Sequence, residues 1–281
     1  MISIFSKVKV VALAAALVAV VGAQAATVGQ PVTINENAIP GVSDPGQAAV
    51  AVDQLSGQYD EVLTTSPTSA TSGTFTTEAI FGAGGWFNNG APVDTYVNGI
   101  GSKGYKLYAK FVGSGSYSQV GGQFVFSGGS GAIELWADPD KNTVYNVATT
   151  SIGSMGHLIN TSGAASLTDD LLLGTASMIS FAQGQIAAGG GANGNFELVY
   201  NDFALASPTG DAYFIAPRPF YMLLDLNGNF QSFNPTTVTS VRLLNSSANA
   251  FFLKVPEPGA LALVGIALLG LGLSGRRARK A

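Results

Sequence analysis

The chain has 281 residues, 36 of them glycine, with no cysteine and one histidine, and only 11% of it is charged. Residues 27–255 hold sixteen Asp/Glu against seven Lys/Arg, a net charge of −9, while the remaining basic residues sit at the two ends. This balance excludes disulfide staples and cysteine metal sites, and it excludes nucleic acid as a partner, because phosphates demand Lys and Arg.

Met1 to Ala25 has the organisation of a secretory signal peptide: Lys7 and Lys9, an apolar run from Val10 to Val21, then Ala23-Gln24-Ala25. That is a positive region, an apolar core and an A-x-A cleavage box, with cleavage expected before Ala26. Signal peptidase and the general secretion machinery are the implied partners, and whatever the body does is done outside the cytoplasm. Residues 26–51 are rich in Pro, Gly, Asn and Ala, with turn chemistry at Asn37–Gly41 and Asp44-Pro45-Gly46. They are expected to form a loosely ordered N-terminal arm carrying one short strand.

From residue 52 to 255 the texture is short β segments cut by Gly, Ser and Asn. Strands are expected near 58–64, 74–81, 105–112, 123–127, 132–137, 171–179, 196–203, 212–216, 219–226, 230–233, 239–244 and 250–255. In Tyr105–Phe111 the odd positions can face inward while Lys106 and Lys110 face water, and Ile133-Glu134-Leu135-Trp136 begins the same period-2 pattern. The fold class is therefore all-β: a single β-sandwich-like or jelly-roll-like domain. Asn227-Gly228 between two apolar runs predicts a two-residue hairpin, because both residues accept positive φ. Glycine clusters at 82–85, 113–115, 121–122, 128–131 and 189–194 read as connecting loops; no Gly-Lys-Ser/Thr accompanies them.

Candidate chemistry is sparse. His157, the lone histidine, sits in a small-residue stretch with no nucleophile-elbow pattern. A glycosidase-like carboxylate pair could come from Glu78, Glu134, Glu197 or Asp202. Asp138, Asp140 and Asn142 place oxygen side chains at alternate positions, as the opening of a calcium loop does, and Asp225, Asn227 and Asn229 do the same. Neither run is completed, since the sixth position is Thr143 or Phe230 and the twelfth is Thr149 or Thr236. Calcium is thus a candidate cofactor, bound through Asp138, Asp140 and Asn142 or at a site assembled from acidic loops; no other cofactor is expected. Aromatic residues such as Trp86, Trp136, Tyr200, Phe203, Tyr213 and Tyr221 could stack on sugar rings if exposed.

The last 26 residues, 256–281, are built differently. Pro256-Glu257-Pro258 is hostile to helix. Gly259 to Ser274 is an apolar run of 16 residues, roughly 24 Å as a helix against a ~30 Å hydrocarbon core, so its hold on an inner membrane is short and transient. Arg276, Arg277, Arg279 and Lys280 then form a cytoplasmic stop. This three-part segment resembles the PEP-CTERM sorting signal of Gram-negative bacteria. The resemblance implies exosortase, a membrane-embedded transpeptidase, as a partner that removes the hydrophobic sorting helix at or near the motif and delivers the protein outside.

In the body, Gly104–Phe111, Glu134–Asp140, Tyr200–Phe203 and Ala216–Tyr221 are similar to the flocculation-associated PEP-CTERM proteins of floc-forming bacteria. That similarity implies a surface or matrix protein that associates with exopolysaccharide in flocs or biofilm, with no assigned catalytic residues. The rival expectation is a secreted enzyme acting on that polysaccharide through two carboxylates.

Overall fold

The computed structural model describes residues 31–99, 104–146, 157–160, 169–177, 181–187, 193–200, 203–216, 220–229, 234–237 and 239–254. The expected signal peptide with Ala23, Ala25 and Ala26, and the sorting segment with Pro256, Glu257, Pro258, Arg276, Arg277, Arg279 and Lys280, lie outside these residues. Among the described residues no helix is long and apolar enough to cross a membrane.

The elements in chain order are β1 (Val32–Ile34), β2 (Val50–Val52), β3 (Gln54–Pro67), β4 (Ser72–Asn88), β5 (Ala91–Pro92), β6 (Lys106–Val120), β7 (Gln123–Asp138), β8 (Thr143–Asn146) and β9 (His157–Asn160). They continue with β10 (Leu171–Ala176), β11 (Phe181–Ala187), β12 (Asn193–Tyr200), β13 (Ala204–Leu205), a one-turn helix α1 (Thr209–Tyr213), β14 (Phe214–Ala216), β15 (Phe220–Asn229) and β16 (Ser240–Lys254). The all-β, single-domain expectation holds.

The ladder is antiparallel throughout and nearly sequential. β3, β4, β6 and β7 pair in succession, and the first half of β7 pairs with β11. β11, β12, β15 and β16 follow, and β16 returns to β3. Eight strands thus close into a ring, and its opposing walls meet across a shared core as the layers of a sandwich do. The second half of β7 instead pairs with β10, which carries β13. β1, β2 and β14 form a small separate sheet, and β8 pairs with β9.

Period-2 alternation explains which face looks inward. On β3, Leu55, Tyr59 and Leu63 are buried, while Gln58 is exposed and Asp60 and Val62 are half-buried. On β6, Leu107, Ala109 and Phe111 are buried between Lys106 and Lys110. The interior is filled by Leu55, Tyr59, Phe81, Trp86, Leu135, Met222 and Phe252 towards one end, and by Leu63, Phe75, Tyr117, Phe124 and Phe126 towards the other. The ring of Phe126 packs against Phe75, Tyr117 and Phe196 at 5.3–5.7 Å between centroids.

Residues 31–51 pack more closely than their turn-rich sequence indicates. Val32, Ile34 and Ile39 are buried, and so is Glu36. The Glu36 carboxylate accepts the Tyr96 N–H at 2.9 and 3.1 Å and the Tyr105 hydroxyl at 2.7 Å. Tyr105 and Tyr213 hydroxyls lie 2.7 Å apart, and Trp86 Nε1 donates to Tyr213 at 3.1 Å. Burial, its largest influence, raises the Glu36 pKa against the pull of these donors.

Several local expectations are corrected. Asn227-Gly228 is not a hairpin: β15 runs through it, with Asn227 opposite Ser247 and Asn195, and Gly228 opposite Gly194. β12 pairs with both residues and β16 with Asn227, and this pairing overrides the turn propensity. Glycines 82–85, 113–115 and 128–131 lie inside β4, β6 and β7 rather than in loops. Gly121 and Gly122 do make a turn, at φ 58° and 80°, as a tight β6–β7 hairpin needs. Residues 212–213 belong to α1, and β11 was not expected at all.

Candidate functional site

The polar features converge on the outer surface near the C-terminal end of β7. Asp138 closes that strand opposite Lys106 and is fully buried. Its two carboxylate oxygens accept the backbone N–H of Asn142 at 3.2 Å and of Thr143 at 2.9 Å, which folds residues 139–142 into a tight turn with Lys141 at φ 57°. Asn142 Nδ2 donates to Asp169 at 2.8 Å. Asp170 accepts the Tyr108 hydroxyl at 2.6 Å and the Thr143 hydroxyl at 2.9 Å, both on Oδ2.

This turn and the start of β10 therefore bring Asp138, Asp169 and Asp170 together, with carboxylate oxygens within 4.8 Å of one another. Burial is the main cause that raises the Asp170 pKa; Tyr108 and Thr143 oppose it, and Asp138 and Asp169 add to it. Of the residues expected from sequence, Asp138 and Asn142 are in this corner, whereas Asp140 is exposed and outside the three-carboxylate group. Asp169 and Asp170 were not anticipated. Their only signal in the sequence is an adjacent acidic pair directly before an apolar strand.

Beside this corner lies an open groove of about 330 Å³. Gln58 and Asp60 of β3, Ile80 and Gly82 of β4, Asn98, and Lys106 with Thr143 line it. Lys106 Nζ donates to the carbonyls of Lys141 at 2.9 Å and Thr143 at 3.1 Å, tying the groove wall to the acidic turn. Asn98 Nδ2 donates to the Ala83 carbonyl at 2.5 Å.

The other sequence candidates are scattered. Glu78, Glu134 and Glu197 belong to β4, β7 and β12, on outward-facing positions. Glu134 lies 3.6 Å from Lys110 and accepts Trp136 Nε1 at 3.1 Å. His157 begins β9 opposite Asn146, and Asp202 lies outside the described residues. Most aromatic candidates are interior: Trp86, Tyr200, Phe203 and Tyr213 are buried. Trp136 keeps partial exposure, stacked on Tyr108 at 6.4 Å with Lys110 Nζ 4.7 Å from its ring centroid.

Inside the ring, Glu61 is a carboxyl among apolar side chains. It is 6% exposed, accepts the Thr77 hydroxyl, and lines a small cavity of about 40 Å³ with Phe75, Phe111 and Phe126. Burial pushes its pKa up to about 7.

No curated protein and no solved structure matches the chain. Residues 254–278 match the PEP-CTERM protein-sorting motif, which indicates a protein targeted to exosortase and delivered to the cell surface or beyond.

Proposed function

We propose that the protein is a non-catalytic matrix component that associates with exopolysaccharide and supports the cohesion of flocs or biofilm. The groove on β3, β4 and β6 is the observation that carries this reading. Its volume suits one or two sugar units, and the Gln58 amide and the Asp60 carboxylate on β3 can pair with sugar hydroxyls. Being open, it accepts a segment within a long polymer, not only a chain end. Each contact is weak, and many copies on one polymer supply the strength. Glu134 is engaged by Lys110 and the Trp136 indole, and Glu78, Glu134 and Glu197 stand on outward strand positions. This favours binding over two-carboxylate hydrolysis, which needs the two groups to face each other across a bond.

The test is co-sedimentation of the exported protein with insoluble matrix polysaccharide. Gln58→Ala combined with Asp60→Ala, both on the groove rim, is expected to lower retention at least about threefold, the loss of one or two polar contacts at roughly 0.5–1.5 kcal/mol each. Retention unchanged in the double variant, or reducing sugar released during incubation, would overturn the reading.

A further inference from the structure

We propose that Asp138, Asn142, Asp169 and Asp170 form a binding site for calcium. The three carboxylates offer oxygens within 4.8 Å of one another. Calcium takes oxygen ligands at ~2.3–2.6 Å, so ligands on opposite sides of one ion stand up to about 5 Å apart, and the cluster fits within that span.

A separate observation points to a ligand. Asp170 is only 8% exposed, and its Oδ1 is enclosed with no hydrogen-bond donor. Asn142 Oδ1 is enclosed and without a donor too, although the same amide donates through Nδ2 to Asp169. Native interiors rarely leave buried acceptors unmet. Lys106 Nζ is spent on the Lys141 and Thr143 carbonyls, so two orphan acceptors remain beside three carboxylates, and a cation among them satisfies both.

The donor set is entirely oxygen, which suits a hard cation rather than zinc or copper. Mixed carboxylate and amide ligands on two separate turns favour calcium over magnesium, which demands near-ideal octahedral geometry. The Asp138 oxygens, already oriented by the N–H groups of Asn142 and Thr143, retain lone pairs for the ion. Bound there, calcium ties the end of β7 and the turn into β8 to the start of β10, alongside the groove wall. The site does not depend on the polysaccharide reading, because ion binding and matrix retention are separate measurements.

The experiment uses the exported protein stripped with chelator, then titrated with calcium chloride or magnesium chloride and followed by calorimetry and thermal melting. Calcium is expected to bind and to raise the Tm by several degrees, with magnesium weaker by at least about tenfold. Asp169→Asn, at the more open edge of the cluster, is expected to keep its fold by circular dichroism and to lose at least about tenfold in calcium affinity. Asp170→Asn serves as the second variant, with the same expected loss. No heat and no shift up to ~10 mM calcium, above the ~1 mM range of weak extracellular calcium modules, overturns the proposal. So does undiminished affinity in a folded Asp169→Asn.

Discussion

Glu61 faces inward because it shares its parity on β3 with Tyr59 and Leu63, and the burial of that row carries the carboxyl with it. One of its oxygens accepts the Thr77 hydroxyl and the other has no partner. Its pKa is raised from 4.5 to about 7. A raised carboxyl pKa means that the folded state holds the proton more tightly than the unfolded chain. The contribution of Glu61 to stability is therefore fully present below pH 4.5 and is lost as pH rises through about 7. The difference is on the order of 3 kcal/mol. Glu61→Gln keeps the size, removes the titration and is expected to be more stable than the parent at pH 8 and about equal at pH 4.5. Thermal melts of the two proteins across that range check it, and parallel curves would discard the assignment.

Among the elements, the long strands show how far glycine can be read as punctuation. A Cβ at Gly115 would meet the Ser127 carbonyl oxygen at 2.1 Å and the Phe75 ring at 2.8 Å. Glycine is there to let the β6 and β7 backbones and an aromatic ring close up, not to end a strand. Gly115→Ala is expected to cost about 1–3 kcal/mol, seen as a lower urea midpoint with unchanged slope. A midpoint equal to the parent's would contradict this account.

The same elements mark what the sequence discloses. Alternation in Tyr105–Phe111 and Ile133–Trp136 was enough to identify β6 and the end of β7 and to orient their faces. Their full length was hidden because glycines stand where rings from neighbouring strands need room. Asn227-Gly228 misled for a related reason: turn propensity is local, and pairing along β12 with β16 reaching Asn227 outweighs it. The acidic corner was half legible. The turn at Asp138–Asn142 announces itself by its Asp-Pro-Asp-Lys-Asn run, but Asp169 and Asp170 join it only through a pairing of β7 with β10 that no local pattern encodes.

At the scale of the whole molecule, closure is the governing feature. A ring with polar residues outward and apolar ones inward has no long free edge to recruit another chain. It also reverses the pattern of a lipid-facing barrel, whose apolar band points out. The ring is not uniformly strong. β3, β4, β6 and β7 share long ladders, whereas β7 meets β11 only along Gln123–Ser127 against Gln183–Ala187. Opening is expected to begin at that seam. In hydrogen exchange, amides of Gln183 to Ala187 should exchange well before those of Ala79 to Phe81 in β4, and equal protection of the two would show that the ring opens elsewhere.

The final ladder pair, Lys254 with Phe220, coincides with the first residue of the sorting match, and only Val255 stands between it and Pro256. Tension on the tail therefore enters the body along the axis of β16. It is shared by the bonds to β3 and β15 on its two flanks instead of prying them apart singly. A molecule cut at the motif keeps both flanks, so a pull on its new end is spread over two ladders at once.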